Sequence, residues 1–195
     1  LNNTPTPVNL NIAGINGAFS CKIIFDPDIP AYFIFAVNYS SNSLIRVNMG
    51  NSMGNAPAST SSISIAAFTS PFGMDMAYDC MLGKFVAFVT NISTGTLSRL
   101  IFDSGPGNAP SDTTFTGLPL NAPTGVNIVK DGKTWNIFIT NQGNNALLQL
   151  TTGPLITDSL STGFNANPGN LANIPRCPYF VNDSSAWTGF VTNYG

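Results

Sequence analysis

The chain alternates short apolar runs with clusters of Gly, Pro, Asn and Asp, and the stretch from 73 to 118 displays the pattern most plainly. Four runs there read as strands: GMDMAYD (73–79), KFVAFVTN (84–91), TLSRLIFD (96–103) and roughly DTTFTGL (112–118). Turn signals separate them at 80–83, at 93–95 and at GPGNAP. FVAFVT is apolar at nearly every position, as in a strand covered on both faces. The third run alternates, with Leu97 and Arg99 on one face and Ser98 and Leu100 on the other.

The same pattern recurs. Four segments read YFIFAVN, FVAFVTN, WNIFITN and WTGFVTN, ending at Asn38, Asn91, Asn141 and Asn193, with spacings of 53, 50 and 52 residues. Each begins with an aromatic (Tyr32, Phe85, Trp135, Trp187) and carries phenylalanine three positions later (Phe35, Phe88, Phe138, Phe190). An aspartate precedes each: Asp26, Asp79, Asp131 and Asp183. A leucine (Leu44, Leu97, Leu147) and then a long polar residue (Arg46, Arg99, Gln149) follow at constant offsets, and GNAP recurs with Pro57 and Pro110. The repeats run approximately 13–64, 65–121, 122–167 and 168–195. Residues 1–12 are expected to be a strand of a preceding repeat, because NNTP, with Pro5, resembles the GNAP turn.

About four antiparallel strands in a period near fifty predict an all-β chain, a β-propeller of four-stranded blades, about four of them present and conceivably part of a larger ring. Leucine-rich and β-helical coils have shorter periods, and immunoglobulin-type modules need about a hundred residues. The middle strand of a blade is sandwiched between its neighbours, which explains fixed aromatics there. The chain is expected to be one propeller region of a longer polypeptide, with the strand that completes the last blade following directly after Gly195.

Composition narrows the function. Charged residues make up 8% and the net charge is −2. Without a basic stripe, nucleic acid is not an expected partner. No apolar run approaches the roughly 18 residues of a membrane-spanning helix. No export signal is visible in a chain that begins at Leu1. Polarity carried by Asn, Ser and Thr points to a secreted or cell-surface setting.

The segments FAVNYSSNSLIRVNMGNS and FVTNYG, with W-x-G-F in WTGFVTN, resemble propeller repeats of large exported bacterial surface proteins, which are similar in form to NHL and lactonase-like propellers. The resemblance covers nearly the whole chain. It implies export and a β-propeller scaffold, and it carries over no catalytic residue. The third copy departs from it, with Gln149 in place of arginine and no GNAP.

Several residues invite a functional role. The four aspartates, Asp26, Asp79, Asp131 and Asp183, could line one mouth of the channel and bind calcium; an Asx turn after the first strand is the preferred reading, since one carboxylate per blade is sparse for six to eight oxygen ligands. The repeated asparagines could form a ligand ring, but capping the second strand and shaping its turn is preferred. Arg46 and Arg99 read as solvated charges rather than a recognition stripe. Glycosylation tripeptides occur at Asn2, Asn38, Asn91 and Asn182. Cys21 and Cys177 can bridge if four copies close a ring and not in a larger one; Cys80, at a turn, reads as a free thiol, and a buried inert thiol competes at each site.

Two functions follow. With no histidine, Ser-His and Cys-His catalysis lack their base, and no cofactor is expected. The first reading is therefore a non-catalytic surface module, an adhesin, scaffold or filament component that meets a protein or glycan ligand or associates with itself. The alternative is a propeller-class enzyme, a glycosidase, lyase or lactonase working with paired carboxylates, partly outside this segment. Asp75 and Asp112 are the acids to test first.

Overall fold

The structure, a computed structural model, describes residues 12, 14–166, 175–182 and 186–193. Asp183, the Asn2 tripeptide and the Pro5 turn lie outside them. Three sheets hold four strands each, in chain order from first to fourth. The first comprises β1 (Ala18–Asp26), β2 (Ala31–Asn38), β3 (Ser43–Gly50) and β4 (Ser59–Ser64). The second comprises β5 (Pro71–Asp79), β6 (Lys84–Asn91), β7 (Thr96–Phe102) and β8 (Ser111–Phe115). The third comprises β9 (Pro123–Asp131), β10 (Thr134–Asn141), β11 (Ala146–Thr152) and β12 (Ser161–Ala166). A fourth sheet pairs β13 (Pro175–Asn182) with β14 (Trp187–Asn193). All pairings are antiparallel.

The sheets stand as blades, with first strands β1, β5, β9 and β13 side by side around an axis. Their backbones nearly touch. A Cβ on Gly73 would sit on the carbonyl oxygen of Thr124, and one on Gly125 on that of Arg176. Glycine is needed there because the neighbouring blade's main chain occupies the side-chain space.

Between blades lie the apolar layers. Phe33, Phe35, Val37 and Leu44 of blade 1 meet Phe85, Ala87, Val89 and Leu100 of blade 2. Val86, Phe88 and Leu97 meet Trp135, Ile137, Ile139 and Leu148 in turn. The repeated phenylalanine faces the following blade, and the leading aromatic, in Phe85 and Trp135, faces the preceding one. Phe35 and Phe88 are 0% exposed. Phe138 is half-buried and stacks on Phe180 at 3.8 Å between ring centroids. The expectation of four wedged phenylalanines fails at the fourth copy: Phe190 is 58% exposed, and Trp187 is exposed too. Phe190 points where a fifth blade would stand, and none lies among the described residues.

The arginines also depart from expectation. Arg46 donates to the Pro106 carbonyl of the next blade at 3.3 Å. Arg99 donates to those of Thr157 and Asp158 at 2.8 and 3.2 Å, and its guanidinium lies over Phe115. These are latches between blades, not solvated charges. Burial lowers both guanidinium pKa values, with Asp158 opposing the shift at Arg99. Gln149 instead donates to Asn136 within its own blade, since the loop it would reach has no counterpart among the described residues of blade 4. Replacing Arg99 by methionine keeps a flexible stem but strips both hydrogen bonds, and it will lower unfolding free energy by about 1–2 kcal/mol in urea titrations. The same change at the exposed Lys133 serves as the neutral control.

The anchor asparagines do more than shape their own turns. Asn91 Oδ1 accepts from Thr69 N–H, and Asn141 Oδ1 from Asn121 N–H, so each ties the incoming crossover to its blade. Asn38 donates to the Gly14 carbonyl in the same sense. Asn38 and Asn91 are fully buried, which removes both as glycosylation sites, whereas Asn182 is exposed. The turn itself uses the residue four later, Asn42, Gly95 and Asn145, each at positive φ.

Candidate functional site

At its start, every inner strand carries a β-bulge: between Ala18 and Ser20, between Pro71 and Met74, opposite Thr140–Asn141, and between Pro175 and Pro178. A bulge re-aims side chains. Here it falls at Phe19, Phe72, Thr124 and Arg176, which occupy one register position, seven residues before the repeated aspartates Asp26, Asp79, Asp131 and Asp183.

Bulging takes an N–H out of the ladder, and a threonine opposite receives it. Thr90 Oγ1 accepts from Gly73 N–H at 2.9 Å and donates to the Thr124 carbonyl at 3.1 Å. Thr140 Oγ1 accepts from Gly125 N–H at 2.9 Å and donates to the Arg176 carbonyl at 2.7 Å. Thr192 Oγ1 accepts from Cys177 N–H. In blade 1 this position is Val37, and Ser20 Oγ makes the link to Met74. Each hydroxyl thus closes a bulge, and Thr90 and Thr140 also fasten the next blade.

Three of the bulge residues, Phe19, Phe72 and Arg176, meet at the mouth of the axis, while Thr124 is buried. Phe19 stacks on Phe72 with centroids 4.2 Å apart, and Tyr39 packs edge-on against Phe19 at 5.5 Å. The Arg176 guanidinium, reaching from blade 4, lies 5.0 Å from the Phe72 ring centroid. Phe19, Phe72, Arg176 and Cys177 line an open cavity of about 490 Å³. A smaller cavity of about 40 Å³, which shares Phe19, Phe72 and Cys177 with the first, is lined further by Ser20, Gly73 and Gly125. The mouth therefore offers an exposed aromatic face, a stacked guanidinium and a thiol.

Deeper on the axis, a second tier is polar: Lys22, Asp75, Asn127 and Tyr179, four residues before each repeated aspartate. Lys22 Nζ lies 2.6 Å from Asp75 Oδ1. Asp75 Oδ2 accepts from Asn127 Nδ2 at 2.9 Å and Ile128 N–H at 2.7 Å. Asn127 Oδ1 accepts from Phe180 N–H. One chain of hydrogen bonds thus crosses all four blades, and Asp75 is its hub. Removing that carboxylate by Asp75→Ala leaves Lys22, itself 39% exposed, and three N–H donors, from Met76, Asn127 and Ile128, without this partner. A loss of about 2–4 kcal/mol is expected by denaturation, below the full buried-pair value because water reaches Lys22.

Asp75 and Asp112 do not form a pair. Asp112 lies on β8, three strands from β5, so about 14 Å separates them, and its Oδ2 accepts from Ala67 N–H. Paired glycosidase carboxyls stand about 5–9.5 Å apart. Asp26, Asp79 and Asp131 sit at the far end of the inner strands, about 23 Å from the bulge tier. Asp26 and Asp79 accept from the N–H two residues on, as an Asx turn does. Asp79 Oδ2 also accepts from Ile156 N–H of the next blade. Asp131 is exposed.

Cys21 and Cys177 are unbridged, and all three thiols are exposed rather than buried. Cys21 shares the exposed face of β1 with Phe19, Ile23 and Phe25, and Cys177 lines the axial cavities with Phe19 and Phe72.

The mouth residues escaped the sequence reading. Threonine before three of the four anchors was a usable signal, whereas Phe, Phe, Thr and Arg at the bulge position show no shared chemistry.

No protein-family model matches the sequence, and no curated protein matches it. Solved structures do. An exo-β-1,3-galactanase from Phanerochaete chrysosporium with galactose aligns at TM-score 0.67 and 10% identity, over 93% of this chain and 44% of that one. A GH43 β-1,3-galactosidase aligns at 0.63 and 14%, over 86% and 37%. A putative 6-phosphogluconolactonase from Bacteroides uniformis aligns at 0.62 and 18%, over 88% and 46%. The fold is a β-propeller. The chain spans less than half the length of each of these three proteins, and at such identities the likeness extends to fold alone.

Proposed function

We propose that this chain is the glycan-contacting segment of a carbohydrate-active, glycosidase-type β-propeller, with the axial mouth as its contact point. The observation that carries this reading is the bulge tier, which turns Phe19, Phe72 and Arg176 together at the opening of the axis. An exposed aromatic face suits the apolar face of a sugar ring, and the guanidinium can donate to sugar oxygens. A volume of about 490 Å³ falls within the usual range for small-molecule sites. The galactosidase and galactanase neighbours favour this reading over an adhesin or filament.

Recognition, rather than bond cleavage, is the part assigned to these residues. Asp75 already holds Lys22, Asn127 and Ile128 and stands apart from Asp112, so neither is assigned to the carboxyl pair that glycoside hydrolysis requires. Export belongs to the same reading and rests on the low charge and Asn/Ser/Thr-rich composition.

Calorimetric titration with β-1,3-galactotriose tests it. Phe19 is exposed, so Phe19→Ala will leave the fold intact and weaken binding about 3- to 10-fold, the worth of one aromatic contact. Equal affinity of variant and parent, or no binding of the trisaccharide by the parent, removes the proposal.

A further inference from the structure

The charges of this chain are sorted along its strands. All nine acidic residues are aspartates, and all but Asp183 lie among the described residues. Asp26, Asp28, Asp79, Asp103, Asp131 and Asp158 stand at the end of the blades away from the mouth, in or beside the turns and loops that follow β1, β5, β7, β9 and β11. Asp112 is on an outermost strand, where its carboxylate accepts from Ala67 N–H. Asp75 comes nearest to the mouth on the axis. It lies three residues inward from Phe72, about 10 Å, and is paired with Lys22. Among the cations, Lys84, Lys130 and Lys133 flank the far turns, and Arg46 and Arg99 reach the far loops at Pro106, Thr157 and Asp158. Among the described charged residues, only Arg176 sits at the mouth end, in the bulge that opens β13.

We propose that the sugar ring seated at this mouth is a uronic acid, whose carboxylate pairs with Arg176 while its apolar face lies on Phe19. The inference rests on the glycan reading of the same mouth and adds the charge of the sugar to it. Three observations argue for an anion. The Arg176 guanidinium lies 5.0 Å from the Phe72 centroid, Phe72 stacks on Phe19, and all three line one cavity. A guanidinium has five N–H donors in one plane, so it can hold a carboxylate through two of them while a ring covers its face. No carboxylate stands among the residues that line the cavity, so a ligand's carboxylate meets no acidic competitor there. The aspartates at the far end are about 23 Å away, more than two screening lengths at physiological salt, so the net charge of −2 does not repel an anion at the mouth. A neutral sugar uses the guanidinium only as a donor to hydroxyls, whereas a uronate uses its charge as well.

Two trisaccharides are the probes: β-1,3-galactotriose, and the same molecule with its terminal galactose oxidised at C6 to galacturonate. They differ by a carboxylate in place of one hydroxymethyl group. In calorimetric titration at neutral pH and low salt, the acid is expected to bind about 10-fold more tightly, the effect of one charge-assisted pair. That preference should shrink about 3-fold or more in roughly 0.5 M sodium chloride. Arg176→Gln should bring the ratio of the two affinities to about 1, and Arg176→Lys, which keeps the charge and loses the fork, should restore only part of it. A trisaccharide sulfated at the same C6 oxygen should bind more weakly than the uronate. Equal affinities of the acidic and neutral trisaccharides overturn this inference and leave the glycan reading in place, whereas binding of neither removes both. Tighter binding of the sulfate than of the uronate also overturns it. If Arg176→Gln does not fold, the salt series on the unaltered chain decides, and a preference that salt leaves unchanged refutes the pairing.

Discussion

Gly125→Ala will lower the unfolding free energy by about 3 kcal/mol, at the upper end of what an added core methyl ordinarily costs. The added carbon would meet the Arg176 carbonyl and the Pro178 ring of the next blade. Both belong to main chain or ring, so no flexible side chain can swing aside. Blade 4 must then move outward, which parts Thr124 and Thr140 from the carbonyls of Pro175 and Arg176 and opens the stack of Phe138 on Phe180. Urea titration followed by near-ultraviolet circular dichroism reads the loss. Gly132→Ala provides the contrast: nothing lies within 4 Å of its added carbon, but its φ of +57° is strained for alanine, so a loss nearer 1 kcal/mol is expected there. Equal stabilities of Gly125→Ala and the parent would mean that the inner strands do not approach as described.

The second large effect concerns a hydroxyl. Thr140→Val preserves shape and removes one polar atom. That atom accepts from Gly125 N–H and donates to the Arg176 carbonyl, in a position that is fully buried. Valine leaves the Gly125 N–H unpaired in the interior and takes the shorter of two hydroxyl bonds from the Arg176 carbonyl, and a loss of about 2–4 kcal/mol follows. The same substitution at Thr90 breaks the equivalent bridge between blades 2 and 3 and is expected to cost a similar amount. Valine already stands at this position in blade 1, as Val37, where Ser20 Oγ bonds the next strand instead. Thr140→Ser therefore tests the cause: it keeps the oxygen and should retain most of the stability. A Thr140→Val protein as stable as the parent would assign the link between blades to apolar packing alone.

These effects locate what binds one blade to the next. Apolar layers fill the middle of each interface, while main-chain proximity and threonine bridges hold its inner margin. Arg46, Arg99 and Asp79 add polar latches. The margin also shapes the mouth, because the bulges that require the threonines are the ones that aim Phe19, Phe72 and Arg176 at the axis.

Sequence alone carried the blade. Alternation and turn residues marked the strands, and the recurrence of aromatic, phenylalanine and asparagine marked the period. Those positions recur for a physical reason: a side chain facing the next blade meets an equivalent surface each time, so the same residue suits each copy. Side chains around the axis meet across it, where Arg176 of blade 4 faces Phe72 of blade 2. No equivalence binds them, and they differ from copy to copy. A search for likeness therefore passes over the mouth, and only folding, through bulges that shift the register by one residue, brings these unlike side chains into one cavity. Exposure of Phe190 follows the same rule, since its burial depends on a neighbouring surface rather than on its own segment.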